Sequence, residues 1–387
     1  MDKDNFIAKQ IGIIGGGQLG KMMINEAAKM GIYTVVLDPS EDCPAACIAN
    51  DIIVAKFDDK NALMELAKRV DVLTCEFEHI STSALKLIEE NGYTVYPKSR
   101  SLEIIQNKYN QKSELRNHGI PVGDFYRVAS VEDLIAAANE FGFPMMLKSE
   151  LGGYDGKGNA LIRCEDDIKA AFNQLKGDTN PLYVERYVPF VKEISVLCCR
   201  AMNGEIAVYP VACNIHKKSI LFETSVPAEI NNKSEDAAIS IATKVCEIFQ
   251  GVGMFCVEMF LLDNGDVLVN EVAPRPHNSG HYTIEGCITS QFMNHVRAIL
   301  GLPMGSTELV RPSVMRNILG EKDCDGQSLV SGAYEALSFP GVNLHIYGKK
   351  YTKPDRKMGH LTVTANTLEE AKIIAEQAAT CVRIISK

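Results

Sequence analysis

The sequence predicts a protein that combines an α/β unit with α+β units, and three observations lead to this prediction. In roughly the first 100 residues, short apolar strands alternate with helical stretches, a pattern typical of a parallel sheet. Further along, apolar runs follow one another closely, and Asn264-Gly265 between two of them is a strong hairpin signal. The length of 387 residues is enough for two or three domains.

The N-terminal unit is predicted to begin with strand, glycine turn, helix and strand over residues 10–40. Met22, Met23, Ala27 and Met30 keep helical spacing, and Gly31 is a typical helix end. Later strands are expected at 51–57 and 70–78, helices at 61–69 and 82–92, and a closing segment at 93–99. We therefore place the first domain at residues 1–100.

The middle unit, residues 101–310, is expected to contain two short layers and an antiparallel sheet. Helices are predicted at 101–119, 131–141, 165–176 and 233–250. Strands are predicted at 143–149, 160–164, 181–188, 193–201, 205–214, 253–263 and 266–274. The last unit, residues 311–387, is expected to combine strands at 334–339, 343–349 and 360–365 with a helix at 367–379.

Composition and charge restrict the class of protein. The formal net charge is −9, which argues against a nucleic-acid partner because proteins that bind nucleic acids usually carry a basic face. The twelve cysteines are scattered, show no CxxC pair and lie mostly in apolar runs, which favours reduced thiols in a cytoplasmic protein. The N-terminal apolar stretch is too short to span a bilayer, so neither a signal peptide nor a membrane partner is expected.

Two glycine-rich loops point to anions. Gly15, Gly17 and Gly20 form GxGxxG between a strand and a helix, with Asp38 about twenty residues later, which fits a dinucleotide site or another anion at the helix N-terminus. The second loop, 152-GGYDGKGN-159, follows an apolar strand that ends near Lys148. This arrangement is typical of a phosphate clamp, although an ordinary tight hairpin is also compatible with it.

Two acids lie in the hairpin on either side of Asn264-Gly265. Glu258 and Glu271 stand in apolar strands, with Asn270 beside the second acid. Burial of unpaired carboxylates is costly, and their oxygens are ligands that Mg²⁺ prefers. We predict a Mg²⁺ site, with solvent-facing acids on an edge hairpin as the alternative.

The loop 274-PRPHNSGHYT-283 gathers donors directly after the acid hairpin. It contains Arg275, His277, Asn278 and His281, and it is predicted to hold an anion through the planar Arg fork. A solvated loop is the alternative.

Three other polar groups are less distinctive. Glu185 and Glu193 flank 186-RYVPFVK-192 and could contact a nucleotide or simply be surface acids. His216 follows a strand, and a lone His is more often structural than catalytic. The segment 353-KPDRKMGH-360 could receive a phosphate or form a solvated basic turn.

In this order, GGGQLG, GGYDGKG, VEMF, NEVAPRPHNSGH and KPDRKMGH resemble the ATP-grasp enzymes of purine biosynthesis known as N5-carboxyaminoimidazole ribonucleotide synthetases. The resemblance runs from about residue 10 to about residue 362. It implies a Rossmann-like N-terminal domain, a two-lobed ATP-grasp domain and a small β-rich C-terminal domain, usually in a homodimer. The implied reaction converts 5-aminoimidazole ribonucleotide (AIR), ATP and bicarbonate into the N5-carboxylated ribonucleotide, ADP and phosphate, through carboxyphosphate.

The resemblance also implies roles for individual residues. Mg²⁺ would bind Glu258 and Glu271, and the catalytic group would be Arg275, His277, Asn278, Lys148 and Asp155. The residues expected to bind ATP are Lys108, Lys148, Gly153, Tyr154, Asp155, Gly156, Lys157, Gly158, Asn159, Glu185, Arg186, Tyr187, Val188, Glu193, His216, Asn270 and Glu271. Those expected to bind AIR are Gln18, Leu19, Glu76, Tyr154, Asp155, Arg275, Lys353, Arg356 and Lys357. The family often has Arg at the position of Lys108, and Glu78 competes with Glu76 for the substrate. The resemblance also implies that GxGxxG serves the ribonucleotide substrate, so that Asp38 would not bind the ribose of a dinucleotide.

Other functions fit the sequence less well. Formate-using or biotin-carboxylating ATP-grasp enzymes share the acid hairpin, but the GGYDGKG and HNSGH loops argue against them. A regulator that has lost catalysis is opposed by the presence of Lys148, Glu258, Glu271 and Arg275. An NAD-dependent oxidoreductase would leave the second glycine loop and the acid hairpin unexplained.

Overall fold

The N-terminal region is a parallel sheet covered by helices, as the sequence predicts. The computed structural model describes residues 8–153 and 158–387. The elements of this region are β1 (Gln10–Ile14), α1 (Gln18–Lys29), β2 (Tyr33–Asp38), β3 (Asp51–Val54), α2 (Lys60–Arg69), β4 (Val72–Cys75) and α3 (Thr82–Glu90). All pairs in the order β3-β2-β1-β4 are parallel. Val35, Val36 and Leu37 are completely buried, as expected of a parallel strand with helices on both faces.

Two helices replace the single helix predicted over 101–119. Helix α4 (Ser99–Gln106) and helix α5 (Lys108–Asn117) meet at Asn107, whose side chain accepts a hydrogen bond from the N–H of Asn110. An Asn in this position caps the start of a new helix. Lys108 is therefore the first residue of α5.

A small antiparallel sheet carries the second glycine loop. This part of the chain consists of β5 (Phe125–Val128), α6 (Val131–Phe141), β6 (Met145–Ser149), β7 (Asn159–Ile162), α7 (Asp167–Gln174) and β8 (Leu182–Arg186). The strands pair in the order β5-β8-β6-β7. The glycine loop joins β6 to β7. Its residues Tyr154, Asp155, Gly156 and Lys157, for which roles are predicted, lie outside the described residues.

The middle of the chain continues with long antiparallel strands. The elements are β9 (Phe190–Arg200), β10 (Ile206–Val208), β11 (Ala212–Lys217), β12 (Ile220–Val226), α8 (Asn232–Phe249), β13 (Gly253–Leu262), β14 (Val267–Ala273), α9 (Thr283–Gly286) and α10 (Gln291–Ile299). The prediction of a single strand over 205–214 is wrong, because this segment contains parts of two strands, β10 and β11. The segment is divided around Pro210, which has no backbone N–H to donate to a ladder. Gly265 adopts φ +85 in the predicted hairpin turn.

The C-terminal region shares its main sheet with the middle region. Its elements are β15 (Ser313–Leu319), β16 (Gly326–Ser331), α11 (Ala333–Leu337), β17 (Val342–Ile346), β18 (Tyr351–Thr352), β19 (Lys357–Thr364), α12 (Leu368–Cys381) and β20 (Arg383–Ser386). The strand predicted over 334–339 is wrong, because Ala333–Leu337 is helical. The nine-stranded sheet follows the order β14-β13-β9-β11-β12-β15-β19-β17, with β10 beside β9, and so continues across the predicted boundary at residue 310.

One apolar core fixes the N-terminal region against the large sheet. Met23 of α1 packs in the same buried cluster as Leu197 of β9 and Phe292, Val296 and Ile299 of α10. This shared core fixes the position of the N-terminal region relative to the large sheet. Among residues 8–153 and 158–387, no helix is long and apolar enough to cross a membrane.

Candidate active site

A cavity of about 660 Å³ lies where the three regions meet. It has the size of a site for a small-molecule ligand. Most of the predicted site residues line it: Gln18, Leu19, Glu76, Lys108, Lys148, Gly153, Asn159, Glu185, Arg186, Tyr187, Val188, Glu193, His216, Glu258, Asn270, Glu271, Arg275, His277, Asn278 and Lys357.

Three predicted residues of the described chain do not line this cavity. Gly158 lies in the glycine loop with φ +91, next to Asn159 of the cavity wall. Lys353 is exposed, and Arg356 donates a hydrogen bond from Nη1 to the carbonyl oxygen of Tyr351 at 2.6 Å. Of the predicted basic segment 353–360, Lys357 is the residue at the cavity.

The acid hairpin brings its two carboxylates together. Glu258 and Glu271 are direct partners on β13 and β14, so their side chains extend to the same face of the sheet. Burial, together with the nearby charge of Glu271, raises the pKa of Glu258 to about 7. The ammonium of Lys108 contacts Oε1 of Glu271. Two close carboxylates beside the Asn270 amide form a set of hard oxygen donors, which fits Mg²⁺.

A buried charge cluster lies beside the second glycine loop. Nζ of Lys148 is 2.9 Å from Oε2 of Glu185, and Nζ of Lys112 is 3.1 Å from Oε1. Burial alone would raise the pKa of Glu185, but the two ammonium groups outweigh it and lower the pKa to about 2. Lys112 was not predicted. Its spacing from Lys108, one helical turn apart on α5, is the signal that could have found it.

The first glycine loop already has a carboxylate at its amides. Oε1 of Glu76 accepts from the N–H of Gly17 at 2.6 Å, and Oε2 accepts from the N–H of Gly20 at 2.9 Å. Asp38 accepts from the N–H of Gly16 at 2.8 Å. These contacts use the donors that a dinucleotide pyrophosphate would need, which argues against the dinucleotide interpretation of GxGxxG.

Glu78 has a different partner from Glu76. It forms an ion pair with Arg275, whose Nη1 also donates to the carbonyl oxygen of Pro276 at 3.2 Å. Burial would raise the pKa of Glu78, but the Arg275 guanidinium outweighs it and holds this pKa well below its usual range. Glu78 thus orients Arg275, whereas Glu76 holds the glycine loop. Both line the cavity.

The polar loop after β14 offers both donors and acceptors. Nδ1 of His277 is 2.9 Å from Oγ of Ser279, and its Nε2 is 3.7 Å from Oε1 of Glu258. Burial and the charge of Arg275 place the pKa of His277 well below its usual value, so its ring is neutral. Nδ2 and Oδ1 of Asn278 are buried without a hydrogen-bond partner among the described residues. Asn278 can therefore donate to and accept from a small ligand.

The far end of the cavity combines one polar pair with apolar walls. His216 Nδ1 lies 2.7 Å from Oε2 of Glu193. Burial would lower the pKa of His216, but its contact with Glu193 outweighs this and raises it. Apolar lining that was not predicted comes from Met146, Phe190, Leu221 and Phe260. This end of the cavity suits a flat, partly apolar group bearing hydroxyls.

Comparison with known proteins identifies the family of the chain. The profiles of the ribonucleotide synthetase preATP-grasp domain, the ATP-grasp domain and the phosphoribosylaminoimidazole carboxylase C-terminal domain match residues 8–106, 113–292 and 313–373. The N5-carboxyaminoimidazole ribonucleotide synthase of Staphylococcus aureus (strain COL) is 42% identical over 363 residues, which are 94% of each chain. The chain belongs to the N5-carboxyaminoimidazole ribonucleotide synthase family.

Solved structures extend the family likeness to three dimensions. The synthetase from Thermotoga maritima is 45% identical, with a TM-score of 0.89 over 98% of this chain and 100% of that one. The synthase from Aspergillus clavatus, in complex with ADP and 5-aminoimidazole ribonucleotide, is 36% identical, with a TM-score of 0.89 over 97% and 99%. The predicted N5-carboxyaminoimidazole ribonucleotide synthase family and its three-part fold are therefore confirmed.

Proposed function

We propose that this chain carboxylates 5-aminoimidazole ribonucleotide with ATP and bicarbonate, releasing ADP, phosphate and N5-carboxyaminoimidazole ribonucleotide. Membership of the synthase family supports the predicted ATP-dependent ligase activity. The observation that carries the proposal is the single cavity. It brings the acid pair, the Lys148 cluster and the Arg275 loop within reach of the same small molecules.

The nucleotide would occupy the part of the cavity between β6 and β9. Lys148 and the amides of the second glycine loop would contact the phosphates, with Glu193 and His216 at the ribose. The backbone from Glu185 to Val188, beside the apolar walls, would hold the base. The synthetase from Staphylococcus aureus that was solved in complex with ADP is 39% identical, which supports binding of an adenine nucleotide by this chain.

Mg²⁺ would bind Glu258 and Glu271, with Asn270 beside them. When bound, this ion would offset negative charge on the phosphates of the nucleotide. Lys108 contacts Glu271 and lies in the same cavity, so its ammonium adds a second positive charge close to the phosphates.

Bicarbonate would bind at Arg275, His277 and Asn278. The Arg275 fork would pair with its negative oxygens, while Asn278 could accept from its hydroxyl and donate to an oxygen. A bicarbonate oxygen would attack the γ-phosphorus of ATP, the bond to ADP would break, and carboxyphosphate would form. The positive charges of Lys148 and Arg275 would stabilise the phosphoryl oxygens in this step.

The exocyclic amine of the ribonucleotide would then attack the carboxyl carbon, or CO₂ released from carboxyphosphate, with loss of phosphate and one proton. The cavity is lined by Gln18, Leu19 and Glu76 of the N-terminal region and by Lys357 of the C-terminal region, which supports a ribonucleotide between these two regions. Roles for Tyr154, Asp155, Lys353 and Arg356 stay predictions. A homodimer and a cytoplasmic location also stay predictions.

The decisive experiment measures ADP release by the purified protein with Mg²⁺, ATP and bicarbonate, with and without 5-aminoimidazole ribonucleotide. Strong stimulation that needs both bicarbonate and the ribonucleotide is the expected result. ADP release that ignores the ribonucleotide would reject it as the acceptor. Omission of bicarbonate alone tests the carboxyl donor separately.

A further inference from the structure

Lys112 is a buried lysine that the proposed reaction does not use. Its side chain is 4% exposed, yet it carries an ammonium group at the wall of the cavity. A buried charge is costly unless it is paired, so the position needs a physical reason. Glu185 is the partner of this ammonium group.

The position of Lys112 is fixed by the residue before it. Gln111 donates from Nε2 to the carbonyl oxygen of Val272 and accepts from the N–H of Val272, both at 2.9 Å. This double contact holds helix α5 against strand β14. Lys108 and Lys112, one turn apart, therefore face the same cavity. Lys108 reaches Glu271, and Lys112 reaches Glu185.

Lys112, Glu185 and Lys148 form a cluster of two cations and one anion. Lys112 is 3.1 Å from one carboxylate oxygen, and Lys148 is 2.9 Å from the other. Lys148 is the more exposed lysine of the two, at 17% of its side chain. With both ammonium groups present the cluster has a net charge of +1. Without Lys112, Glu185 would neutralise Lys148, the more exposed of the two lysines of the cluster.

We propose that Lys112 is a positioning residue, which pairs with Glu185 so that Lys148 keeps a net positive charge for the phosphates of a nucleotide. This inference rests on the proposed use of ATP. In a site shielded from water, charges interact over longer distances than in bulk solvent, so a change of one unit in the net charge of the cluster should alter the binding energy of a phosphate. Lys112 would thus act on nucleotide affinity without touching the nucleotide.

The test is calorimetric titration of the full chain with ADP. Lys112→Met keeps most of the side-chain volume and removes the charge, and we expect it to raise the Kd of ADP about tenfold or more. Lys112→Arg should bind ADP nearly as the parent does. The double variant Lys112→Met/Glu185→Gln restores a net charge of +1, so it should recover most of the lost affinity. Lys169→Met, at an exposed site on α7, is the matched control.

The outcomes separate charge from packing. Unchanged ADP affinity in Lys112→Met would overturn the inference and leave the proposed function standing. Affinity that stays low in a folded double variant would show that Lys112 acts through packing and would also overturn it. If Lys112→Met does not fold, the double variant and Lys112→Arg still compare the two roles. Absent ADP binding by the parent would reject the nucleotide assignment itself, and the inference with it.

Discussion

Arg275 donates from Nε to Oε2 of Glu78, and this contact joins the end of the N-terminal sheet to the loop after β14. Both side chains are largely buried, at 15% and 11% exposure. A planar guanidinium that is held at one edge presents its remaining donors in a fixed direction. The domain interface therefore determines where the proposed bicarbonate site points.

Glu78→Gln tests this relationship. The amide keeps an acceptor but loses the charge that orients Arg275, so we expect the KM for bicarbonate to rise about tenfold, a loss near 1.4 kcal/mol. The KM for ATP should change less. Steady-state ADP release at varied bicarbonate gives both values, and His79→Gln, at an exposed neighbour, is the control. An unchanged KM for bicarbonate would show that Arg275 does not need Glu78.

Glu271→Gln tests the proposed metal site. A neutral amide is a weaker ligand for Mg²⁺ than a carboxylate, and Lys108 also loses its partner, so ATP turnover should fall to background. The measurement is ADP release over a range of Mg²⁺ concentrations, with circular dichroism to show that the fold is intact. Glu247→Gln, exposed on α8, should behave as the parent. Near-normal turnover in Glu271→Gln would remove Glu271 from the metal site.

The basic segment allows a comparison between neighbours. Lys357 lines the cavity, whereas Arg356 bonds the carbonyl oxygen of Tyr351 outside it. The sequence predicts that Arg356→Ala mainly raises the KM for the ribonucleotide. The structure adds the expectation that Lys357→Ala raises this KM more, by about tenfold. If only the KM for ATP rose in these variants, the segment would not contact the ribonucleotide.

His295 should make the stability of the fold depend on pH. Its Nδ1 accepts from the N–H of Met254 at 3.0 Å, so Nε2 carries the proton and donates to Oγ1 of Thr74 at 2.8 Å. Burial lowers the pKa of His295 from 6.5 to about 3. The unfolded chain therefore binds the extra proton first, and the stabilisation is complete above pH 6.5 and is lost as the pH falls towards 3.

At pH 5.5, His295 alone should reduce the free energy of unfolding by about 1.4 kcal/mol relative to its value well above pH 6.5. Urea unfolding at pH 7.5 and pH 5.5 measures this difference. Because other buried histidines act in the same direction, the comparison is with His295→Gln, which should show the smaller drop. His118→Gln, at an exposed site, should keep the full drop. Equal drops in all three proteins would show that folding does not lower the pKa of His295.

Local signals were enough to predict the acid hairpin. Asn264-Gly265 marks the turn, and the pairing of Glu258 with Glu271 follows from the apolar strands on either side. The first α/β unit was predictable for the same reason, because its alternation of strands and helices is a local pattern. The residues lining the cavity were located through the order of motifs along the chain.

Long-range pairing explains what sequence reasoning missed. Nothing near Glu78 indicates that its partner is Arg275, and nothing near Lys112 indicates Glu185, because each pair forms only when separate regions pack together. The sequence predicts that Glu76 contacts the substrate, but it does not indicate that Glu76 also accepts hydrogen bonds from the N–H groups of Gly17 and Gly20. The sequence predicts a strand where helix Ala333–Leu337 lies, because five residues are too few to show a clear helical period.

The pairing of β12 with β15 has a practical consequence for making shorter versions of the protein. Val226 lies opposite Ser313, so the sheet passes without interruption from the middle region to the C-terminal region. A fragment cut near residue 310 would leave the edge of β12 with unpaired backbone groups. Such an edge recruits other strands, and the fragment should aggregate where the whole chain does not. Expression designs should therefore keep the middle and C-terminal regions together.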